Sequence, residues 1–262
     1  MKALDILVHK RTKELNEEME KNKELFDQVI DAERRKNNYF INLSHELRTP
    51  LNVLNSIEQL ISNYCDSGKQ IKNEQLSNYM NMMKNNTSRL MNLINNILDT
   101  SKMENGKYII NKQEQDIVYI VEEAALSLKK SIESAGIELV IDTDVEEKII
   151  NCDKTDIEKC IINLVGNAVK FTPSGGKIIV NIEDIEDGVK IIVSDTGMGI
   201  DEEYHNSIFD RFNQVVDEHS ESKNGSGLGL TITKQIIDMH NGEITLESEK
   251  DKGCKFTIIL PA

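Results

Sequence analysis

Residues 40–51 read FINLSHELRTPL, a pattern typical of an amphipathic helix that carries reactive side chains. On such a helix His45 and Thr49 are four residues apart, and Glu46 and Thr49 are three apart, so the three side chains share adjacent surface. His45 lies off the apolar stripe, and we expect it to face solvent. Pro50 lacks an N–H and crowds the carbonyl of Glu46, which predicts a bend one turn beyond the histidine.

Glu46 is suited to accept the ring proton of His45, which would raise the nucleophilicity of the other ring nitrogen at neutral pH. A single surface histidine is nonetheless usually inert. This segment alone therefore leaves two interpretations open, an ordinary exposed side chain and a catalytic one.

The chain upstream carries an apolar seam at alternating four- and three-residue steps, a heptad pattern weakened by polar members. Its members are Leu4, Val8, Arg11, Leu15, Glu18, Asn22, Leu25, Val29 and Ala32. This segment is either a solvated charged helix or a dimeric, coiled-coil-like connector from an upstream element.

Two helical stretches follow, each with one apolar face. The first carries Phe40, Leu43, Leu47, Leu51, Leu54 and Ile61, and the second carries Leu76, Met80, Met83, Leu90, Ile94 and Ile97. Residues 66–69, Asp-Ser-Gly-Lys, form a turn-like break between them, which predicts an antiparallel hairpin. Two helices cannot bury such wide faces alone, so the sequence predicts a four-helix bundle built by two chains.

After Gly106 the pattern changes to short β-branched runs that alternate with helical periods. Strands are predicted at 138–141, 177–182, 189–194, 243–248 and 255–260, and helices at 117–134, 154–171 and 228–240. The predicted fold class is α+β, a helical hairpin followed by a sheet covered by helices. We expect the boundary between the two parts near residues 104–112.

The composition disfavours several classes of function. The formal net charge is −14, from 31 basic and 45 acidic side chains, so the averaged field repels nucleic acid and anionic lipid. The four cysteines are far apart, lack the spacing of a zinc site and fit a reducing cytosol. No apolar run approaches the roughly 20 residues needed to span a bilayer. We therefore expect the chain as given to be soluble and cytoplasmic.

The predicted helix at 154–171 has a polar face made by Asn163, Asn167 and Lys170, opposite an apolar one. A polar face is ordinary for a surface helix. Asparagine is a poor helix former, however, and two on one face suggest metal or phosphate coordination, with Lys170 as a point charge near phosphate.

Two glycine-rich segments lie at the ends of predicted elements. Residues 195–199, Asp-Thr-Gly-Met-Gly, follow a strand and either form a simple turn or allow close backbone approach. Residues 225–229, Gly-Ser-Gly-Leu-Gly, open a helix whose free N–H groups are suited to holding phosphates. The second segment matches neither a Walker loop nor the dinucleotide-binding fingerprint.

In order and spacing, five segments resemble the H, N, G1, F and G2 boxes of sensor histidine kinases. They are residues 44–50, 163–170, 195–199, 208–212 and 225–229, and the resemblance covers roughly residues 37–261. It implies a HisKA-type dimerisation and phosphoacceptor domain followed by an ATP-binding α/β-sandwich of the GHKL type. The implied domains are a signalling helix at 1–36, the phosphotransfer domain at 37–105 and the catalytic domain at 106–262.

The same resemblance implies a role for each matching residue. His45 is the phosphoacceptor, Glu46 is its base, and Glu46 with Thr49 matches a phosphatase pattern in which Thr49 orients a water. Asp195 hydrogen-bonds the adenine amino group, and Asn167 is the Mg²⁺ ligand. The other implied nucleotide-binding residues are Asn163, Lys170, Gly197, Gly199, Phe212, Gly225, Gly227, Leu228 and Gly229, with residues 213–226 as a mobile lid.

The resemblance further implies ATP and Mg²⁺ as cofactors, a homodimer, and an aspartate on a response regulator receiver domain as the next phosphoryl acceptor. The net charge of −14 disfavours a nucleic-acid partner. Because the heptad seam starts within a few residues of Met1, we expect sensor and membrane segments upstream that attach the full-length protein to the cell membrane.

One departure from the family pattern concerns the segment after the F box. Many relatives carry an arginine there, near the phosphates, whereas residues 213–215 of this chain are Asn-Gln-Val. Arg211 and Lys223 both remain open as substitutes.

Two alternative functions would also use parts of this pattern. The first is an ATP-driven clamp like the Hsp90, gyrase and MutL ATPases, which place a water-activating Glu four residues before the Mg²⁺-binding Asn. The amide of Asn163 at that position cannot act as a base. The second is a nonenzymatic dimer scaffold, which would be expected to have a broken H or N box, whereas both boxes are intact.

Overall fold

The computed structural model describes residues 2–68, 70–205, 207–210 and 227–262. The chain divides into two compact units, Met1–His45 and Glu46–Ala262. None of the helices in the described ranges combines the length and the apolar character that crossing a bilayer requires.

The first unit is the beginning of one long helix, α1, which spans Lys2–Asp66. The sequence predicted two separate helical stretches here, but residues 33–37 between them are glutamate, arginine, lysine and asparagine, and most of these are good helix formers. Three seam residues, Leu15, Leu25 and Val29, are exposed. The coiled-coil role of this segment therefore stays a prediction.

Helix α1 continues through Pro50 and ends at Asp66. The chain then turns at Ser67 and Gly68, and Gly68 has a φ of 64°, a left-handed conformation that suits glycine. Helix α2 follows at Asn73–Glu104. The predicted helical hairpin and the position of its turn are thus confirmed.

The apolar faces of the hairpin are only partly buried within one chain. Ile57 and Leu93 are buried, whereas Leu76, Met80 and Ile94, which the sequence assigned to the buried face of α2, are exposed. The hairpin therefore leaves apolar surface uncovered, as its wide stripes led us to expect.

A five-stranded sheet forms the centre of the second part of the chain. Its strands are β2 (Glu138–Thr143), β4 (Lys177–Ile185), β5 (Gly188–Asp195), β6 (Glu243–Glu249) and β7 (Gly253–Pro261). Their order is β2-β4-β5-β7-β6, and only the β2–β4 pair is parallel. All five strands were predicted, to within a few residues at each end.

Two short strands were missed. Strands β1 (Gln113–Asp116) and β3 (Ile149–Cys152) form a separate antiparallel pair. Strand β1 reads Gln-Glu-Gln-Asp and contains no β-branched or aromatic residue, so its composition gives no strand signal. It is extended because it pairs with β3, which is a tertiary cause.

Within the described ranges, four α-helices complete this part: α3 (Ile117–Ser127), α4 (Lys129–Ser134), α5 (Lys154–Phe171) and α6 (Gly229–Met239), together with one short 3₁₀ helix at Glu202–Tyr204. Helices α3, α5 and α6 pack side by side, and α5 and α6 contact the sheet. The side chains of Ile161, Leu164, Ile178, Ile182 and Ile236 are almost completely buried between these layers. Each such side chain contributes about 1.5–3 kcal/mol of hydrophobic stabilisation.

Helix caps fix the start of two of these helices. The Asp116 carboxylate accepts the N–H of Val118 at 3.1 Å, and the Asp153 carboxylate accepts the N–H of Asp156 at 3.2 Å. These contacts satisfy backbone donors that have no partner within a first helical turn. The cap at Asp153 sets the position of α5, which carries Asn163, Asn167 and Lys170.

Candidate active site

The predicted phosphoacceptor turn of α1 has two exposed side chains and one buried one. His45 and Thr49 are exposed, and Glu46 is only 9% exposed. His45 faces solvent, as its place off the apolar stripe predicted. The imidazole is thus accessible to an incoming reactant, whereas the neighbouring carboxylate is not.

Burial raises the pKa of Glu46, while the positive charges of Arg89 on α2 and Lys170 on α5 act in the opposite direction. Atom Oε1 of Glu46 is buried and has no hydrogen-bond partner among the described residues. A buried carboxyl oxygen without a donor costs free energy when it is ionised. Glu46 is therefore a stronger base than an exposed glutamate.

Lys170 lies at the last turn of α5, and its ammonium group stands 4.7 Å from the centre of the Phe171 ring. Its charge also acts on Glu46. From the sequence we expected Lys170 to be near phosphate. Its influence on a carboxylate of the hairpin was not predicted, because the two residues are 124 positions apart.

Asn163 is packed against the start of α6. Its Nδ2 donates to Oγ1 of Thr233 at 2.9 Å. A β-carbon at position 229 would lie 2.1 Å from Oδ1 of Asn163, so only glycine permits this approach. Asn167, one turn further along α5, is half-buried. The N-box and G2-box segments are therefore in direct contact.

Asp195 ends strand β5, and its carboxylate accepts the N–H of Gly197 at 2.7 Å. Burial raises the pKa of Asp195, and hydrogen bonds from the backbone N–H groups of Gly197 and Cys254 partly offset that effect. A β-carbon at Gly197 would lie 2.7 Å from the carbonyl oxygen of Phe171. This contact brings the Asp195 loop against the end of α5.

The described part of the G2 segment begins at Gly227, which has a φ of 65°. Leu228 is completely buried and precedes the first residue of α6, Gly229. No side chain at the Leu228 position caps this helix. The side chain at this N-cap position therefore satisfies none of the N-terminal N–H groups of α6. Gly225, Phe212 and the proposed lid lie outside the described residues, as do Arg211 and Lys223.

The F-box segment packs on the sheet and on α6 as far as it is described. The ring of Phe209 meets that of Phe256 edge to face, with centroids 6.3 Å apart, and the Lys234 ammonium lies 5.5 Å from the Phe209 ring. Thr231 donates its hydroxyl to the carbonyl of Asp210 at 3.2 Å. These contacts hold Phe209 against β7 and Asp210 beside the start of α6.

Two family models match this chain, one over the helical hairpin and one over the sheet domain that follows it. Residues 35–106 match the family described as His Kinase A (phospho-acceptor) domain, and residues 152–262 match Histidine kinase-, DNA gyrase B-, and HSP90-like ATPase. A solved catalytic domain of histidine kinase ThkA is 31% identical with a TM-score of 0.52, and the match covers 97% of that chain and 58% of this one. This chain belongs to the histidine kinase family.

Two curated relatives of this histidine kinase are each 31% identical to it. Hybrid signal transduction histidine kinase D of Dictyostelium discoideum matches 97% of this chain, which spans 17% of that relative. Autoinducer 2 sensor kinase/phosphatase LuxQ of Vibrio parahaemolyticus matches 85%, and this chain spans 26% of it. The chain therefore corresponds to well under a third of the length of either relative.

A longer solved structure extends the likeness to the hairpin. Histidine kinase ThkA, solved in complex with response regulator protein TrrA, is 27% identical with a TM-score of 0.62. The match covers 85% of this chain and 60% of that one. The helical hairpin followed by an α/β domain is thus the architecture of this histidine kinase.

Several residues that shape the site of this histidine kinase were not found from the sequence. Thr233 contacts Asn163, Cys254 donates its N–H to Asp195, and Ser248 bonds to the loop that follows Asp195. Burial raises the pKa of the Cys254 thiol to about 11, so it is neutral at pH 7. None of the three belongs to a motif, and their sequence distances from their partners give no signal.

Proposed function

We propose that this chain is an ATP-dependent protein-histidine kinase that phosphorylates His45. The observation that carries the proposal is an exposed histidine within the segment that matches the phospho-acceptor family, in a chain that also carries a domain of the ATPase family. The same observation disfavours the clamp and the scaffold, because neither needs an accessible imidazole.

The polar groups of the ATPase-type domain are suited to binding a nucleotide. The Asp195 carboxylate is oriented by backbone N–H groups and suits the amino group of adenine as a hydrogen-bond acceptor. The start of α6 offers backbone N–H groups and a positive dipole end for phosphate oxygens. We assign Asp195, Gly197 and Gly199 to the base and Asn163, Lys170, Gly227, Leu228 and Gly229 to the phosphate side, with Gly225 and Phe212 completing the assignment.

The same domain also offers an oxygen ligand for Mg²⁺ bound together with the nucleotide. No group of three or more His, Cys, Asp or Glu side chains that would hold a metal exists within the described ranges. Mg²⁺ accepts a single amide or carboxylate oxygen when phosphate oxygens and waters supply the rest. We assign that oxygen to Asn167. When bound, the ion supplies neutralisation of the charge that develops on the phosphoryl oxygens.

In the proposed reaction, one ring nitrogen of His45 attacks the γ-phosphorus of ATP. The bond from that phosphorus to the β–γ bridging oxygen breaks, and ADP leaves with the bonding electron pair. Glu46 accepts the proton released from the other ring nitrogen. Its raised pKa supports this role, because a stronger base removes that proton more readily.

We also propose that the chain acts as a homodimer. The exposed apolar residues on α2, which include Leu76, Met80, Met91 and Leu98, support this state because a solvated helix rarely exposes so many. Sedimentation equilibrium tests it, and we expect twice the chain mass. A monomer at micromolar concentration would contradict the dimer while leaving the kinase assignment open.

A response regulator is the partner that we propose for phosphorylated His45. The solved complex of ThkA with response regulator protein TrrA supports this choice, and the name of LuxQ, a sensor kinase/phosphatase, supports a second activity through Glu46 and Thr49. In this proposal the phosphoryl group passes from the imidazole to an aspartate of a receiver domain. Thr49 later orients the water that hydrolyses the aspartyl phosphate.

We place the chain in the cytoplasm and propose that the full-length protein continues upstream into sensor and membrane segments. The small share of the sensor kinase LuxQ that this chain spans supports the proposal. We keep the predicted domains at 1–36, 37–105 and 106–262. Fractionation of cells that express the full-length protein tests the location, and recovery in the soluble fraction would contradict a membrane attachment.

Incubation with [γ-³²P]ATP and Mg²⁺ tests the kinase itself. We expect a label on the protein that is lost in acid and retained in base, because a phosphoramidate is acid-labile. Addition of a panel of purified receiver domains should remove the label within seconds to minutes for one of them. A label stable to acid, or no label at all, would contradict the proposed function.

A further inference from the structure

The loop that follows Asp195 lies against the turn between β6 and β7. A β-carbon at Gly199 would lie 2.0 Å from the carbonyl oxygen of Glu249, and one at Gly253 would lie 1.9 Å from the carbonyl oxygen of Asp195. The N–H of Asp251 donates to the carbonyl of Met198 at 2.6 Å. Two backbone segments therefore touch directly, with no side chain between them.

Ser248, near the end of β6, connects these two segments through its hydroxyl. Its Oγ accepts the N–H of Ile200 at 2.8 Å and donates to the carbonyl of Gly253 at 2.7 Å. It also lies 3.4 Å from Sγ of Cys254. The hydroxyl thus donates one hydrogen bond to the β6–β7 turn and accepts one from the loop that follows Asp195.

We propose that Ser248 is a positioning residue for adenine recognition. It fixes the loop 197–200 against the β6–β7 turn. Gly197 lies in that loop and Cys254 lies at the start of β7, directly after the turn, and their N–H groups orient the Asp195 carboxylate. The proposal rests on the proposed function, in which Asp195 binds the adenine amino group. Ser248 lies outside all five segments that resemble the histidine kinase boxes.

The physical reason is the number of groups that depend on one hydroxyl. Removal of the Ser248 hydroxyl leaves the Ile200 N–H and the Gly253 carbonyl without that partner in a half-buried region. The loop then gains alternative conformations, and the Asp195 carboxylate is correctly oriented for a smaller fraction of the time. A smaller competent fraction weakens apparent binding in proportion.

The effect should fall on nucleotide binding and not on the chemical step. Asp195 is assigned to the base, whereas the phosphoryl group is transferred elsewhere on the nucleotide. A residue that acts only through Asp195 therefore changes binding equally in the ground state and the transition state. For Ser248→Ala we expect about a tenfold rise in KM for ATP and in Kd for ADP, with kcat within about twofold.

The experiment compares Ser248→Ala with two matched variants of the full chain. Thr245→Ala removes a hydroxyl from the same strand at an exposed position, and Ser248→Thr keeps a hydroxyl at position 248. Calorimetric titration with ADP and with GDP, both with Mg²⁺, measures affinity and base preference. We expect Ser248→Ala alone to lose both affinity for ADP and most of the preference for ADP over GDP.

Each outcome has a distinct meaning. Wild-type protein that does not prefer ADP over GDP contradicts the assignment of Asp195 to adenine, and the Ser248 proposal with it. Wild-type protein with that preference, together with Ser248→Ala that retains it, overturns the Ser248 proposal alone. If Ser248→Ala does not fold, Ser248→Cys keeps the shape with weaker hydrogen bonding, and an unchanged Kd for ADP in that variant overturns the proposal.

Discussion

Lys159 of α5 forms an ion pair with Asp99 of α2, although the two residues are 60 positions apart. Both side chains are largely shielded from solvent, at 29% and 20% exposure. Nearby, the Tyr108 hydroxyl donates to the Asp156 carboxylate at 2.6 Å, and the N–H of Asn111 donates to Asp153 at 2.9 Å. The second hairpin helix and the segment after it are therefore bonded to the helix that carries the N box.

Replacement of Lys159 by methionine tests this connection, because it removes the charge and keeps most of the stem. In a double-mutant cycle with Asp99→Asn, we expect a coupling energy of about 1 kcal/mol, because a partly buried ion pair has a larger coupling energy than an exposed one. Urea unfolding measures it. The matched pair is Lys154 and Glu158, which is more exposed on the same helix and should show a smaller coupling. Strict additivity for Lys159 and Asp99 would contradict the ion pair.

The Tyr108 hydroxyl should stabilise the protein more at neutral pH than in mild acid. Burial raises the pKa of Asp156 above its ordinary value of 3.8. Protonated Asp156 therefore contributes fully to stability below pH 3.8, and this contribution is lost as the pH rises through the pKa of Asp156 in the folded state. The Tyr108 hydrogen bond acts against this rise. Without this hydrogen bond the folded-state pKa of Asp156 is higher, and the protein continues to lose stability up to a higher pH.

We therefore expect Tyr108→Phe to cost about 1–2 kcal/mol at pH 7.5 and clearly less at pH 4.5. Urea unfolding at the two pH values provides the measurement. Tyr119→Phe is the control, because Tyr119 is exposed. An equal cost of Tyr108→Phe at both pH values would show that the hydroxyl does not act through the ionised carboxylate.

Asn167→Ala should remove the dependence of nucleotide binding on Mg²⁺. In the proposal its amide oxygen is the protein ligand of the ion, so without it ADP should bind equally well with Mg²⁺ and with EDTA. Calorimetric titration of ADP under both conditions measures the difference. Asn151→Ala, on the exposed side of β3, is the control and should behave as wild type. Retained Mg²⁺ dependence in Asn167→Ala would place the metal elsewhere.

Thr49→Ala should separate the two activities that we assign to the hairpin. Thr49 is exposed and has no role in attack by His45, so autophosphorylation should stay within about twofold of wild type. Dephosphorylation of the regulator should slow by about tenfold or more, because its water loses the group that orients it. Thr49→Ser keeps the hydroxyl and should retain both rates. Equal loss of both activities in Thr49→Ala would mean that Thr49 is structural.

The main elements of the fold were predictable because their signals are local. Strand β5 and helix α5 were located from their β-branched run and their apolar period, and both agree closely with the structure. The predicted helix at 117–134 is instead two helices, α3 and α4, which meet at Leu128. No glycine or proline marks that break, so no local signal predicts it.

The contacts around the candidate site could not be predicted, because they join residues far apart in the chain. The motif pattern identified Asn163 and Asp195, but their partners Thr233 and Cys254 follow from the way α6 and β7 pack. Likewise, the pKa of Glu46 depends on its burial and on charges from α2 and α5. A pattern in sequence predicts which face a side chain occupies, whereas its pKa depends on what packs against that face.

The most direct test of the account is to find where the phosphoryl group is attached. Full chains carrying His45→Ala and His9→Ala are incubated with [γ-³²P]ATP and Mg²⁺, with His9 as an exposed histidine on the same helix. We predict that His45→Ala binds ADP like wild type but incorporates no acid-labile label, and that His9→Ala is labelled normally. Acid-labile label that persists in His45→Ala would contradict the assignment of His45 as the phosphoacceptor.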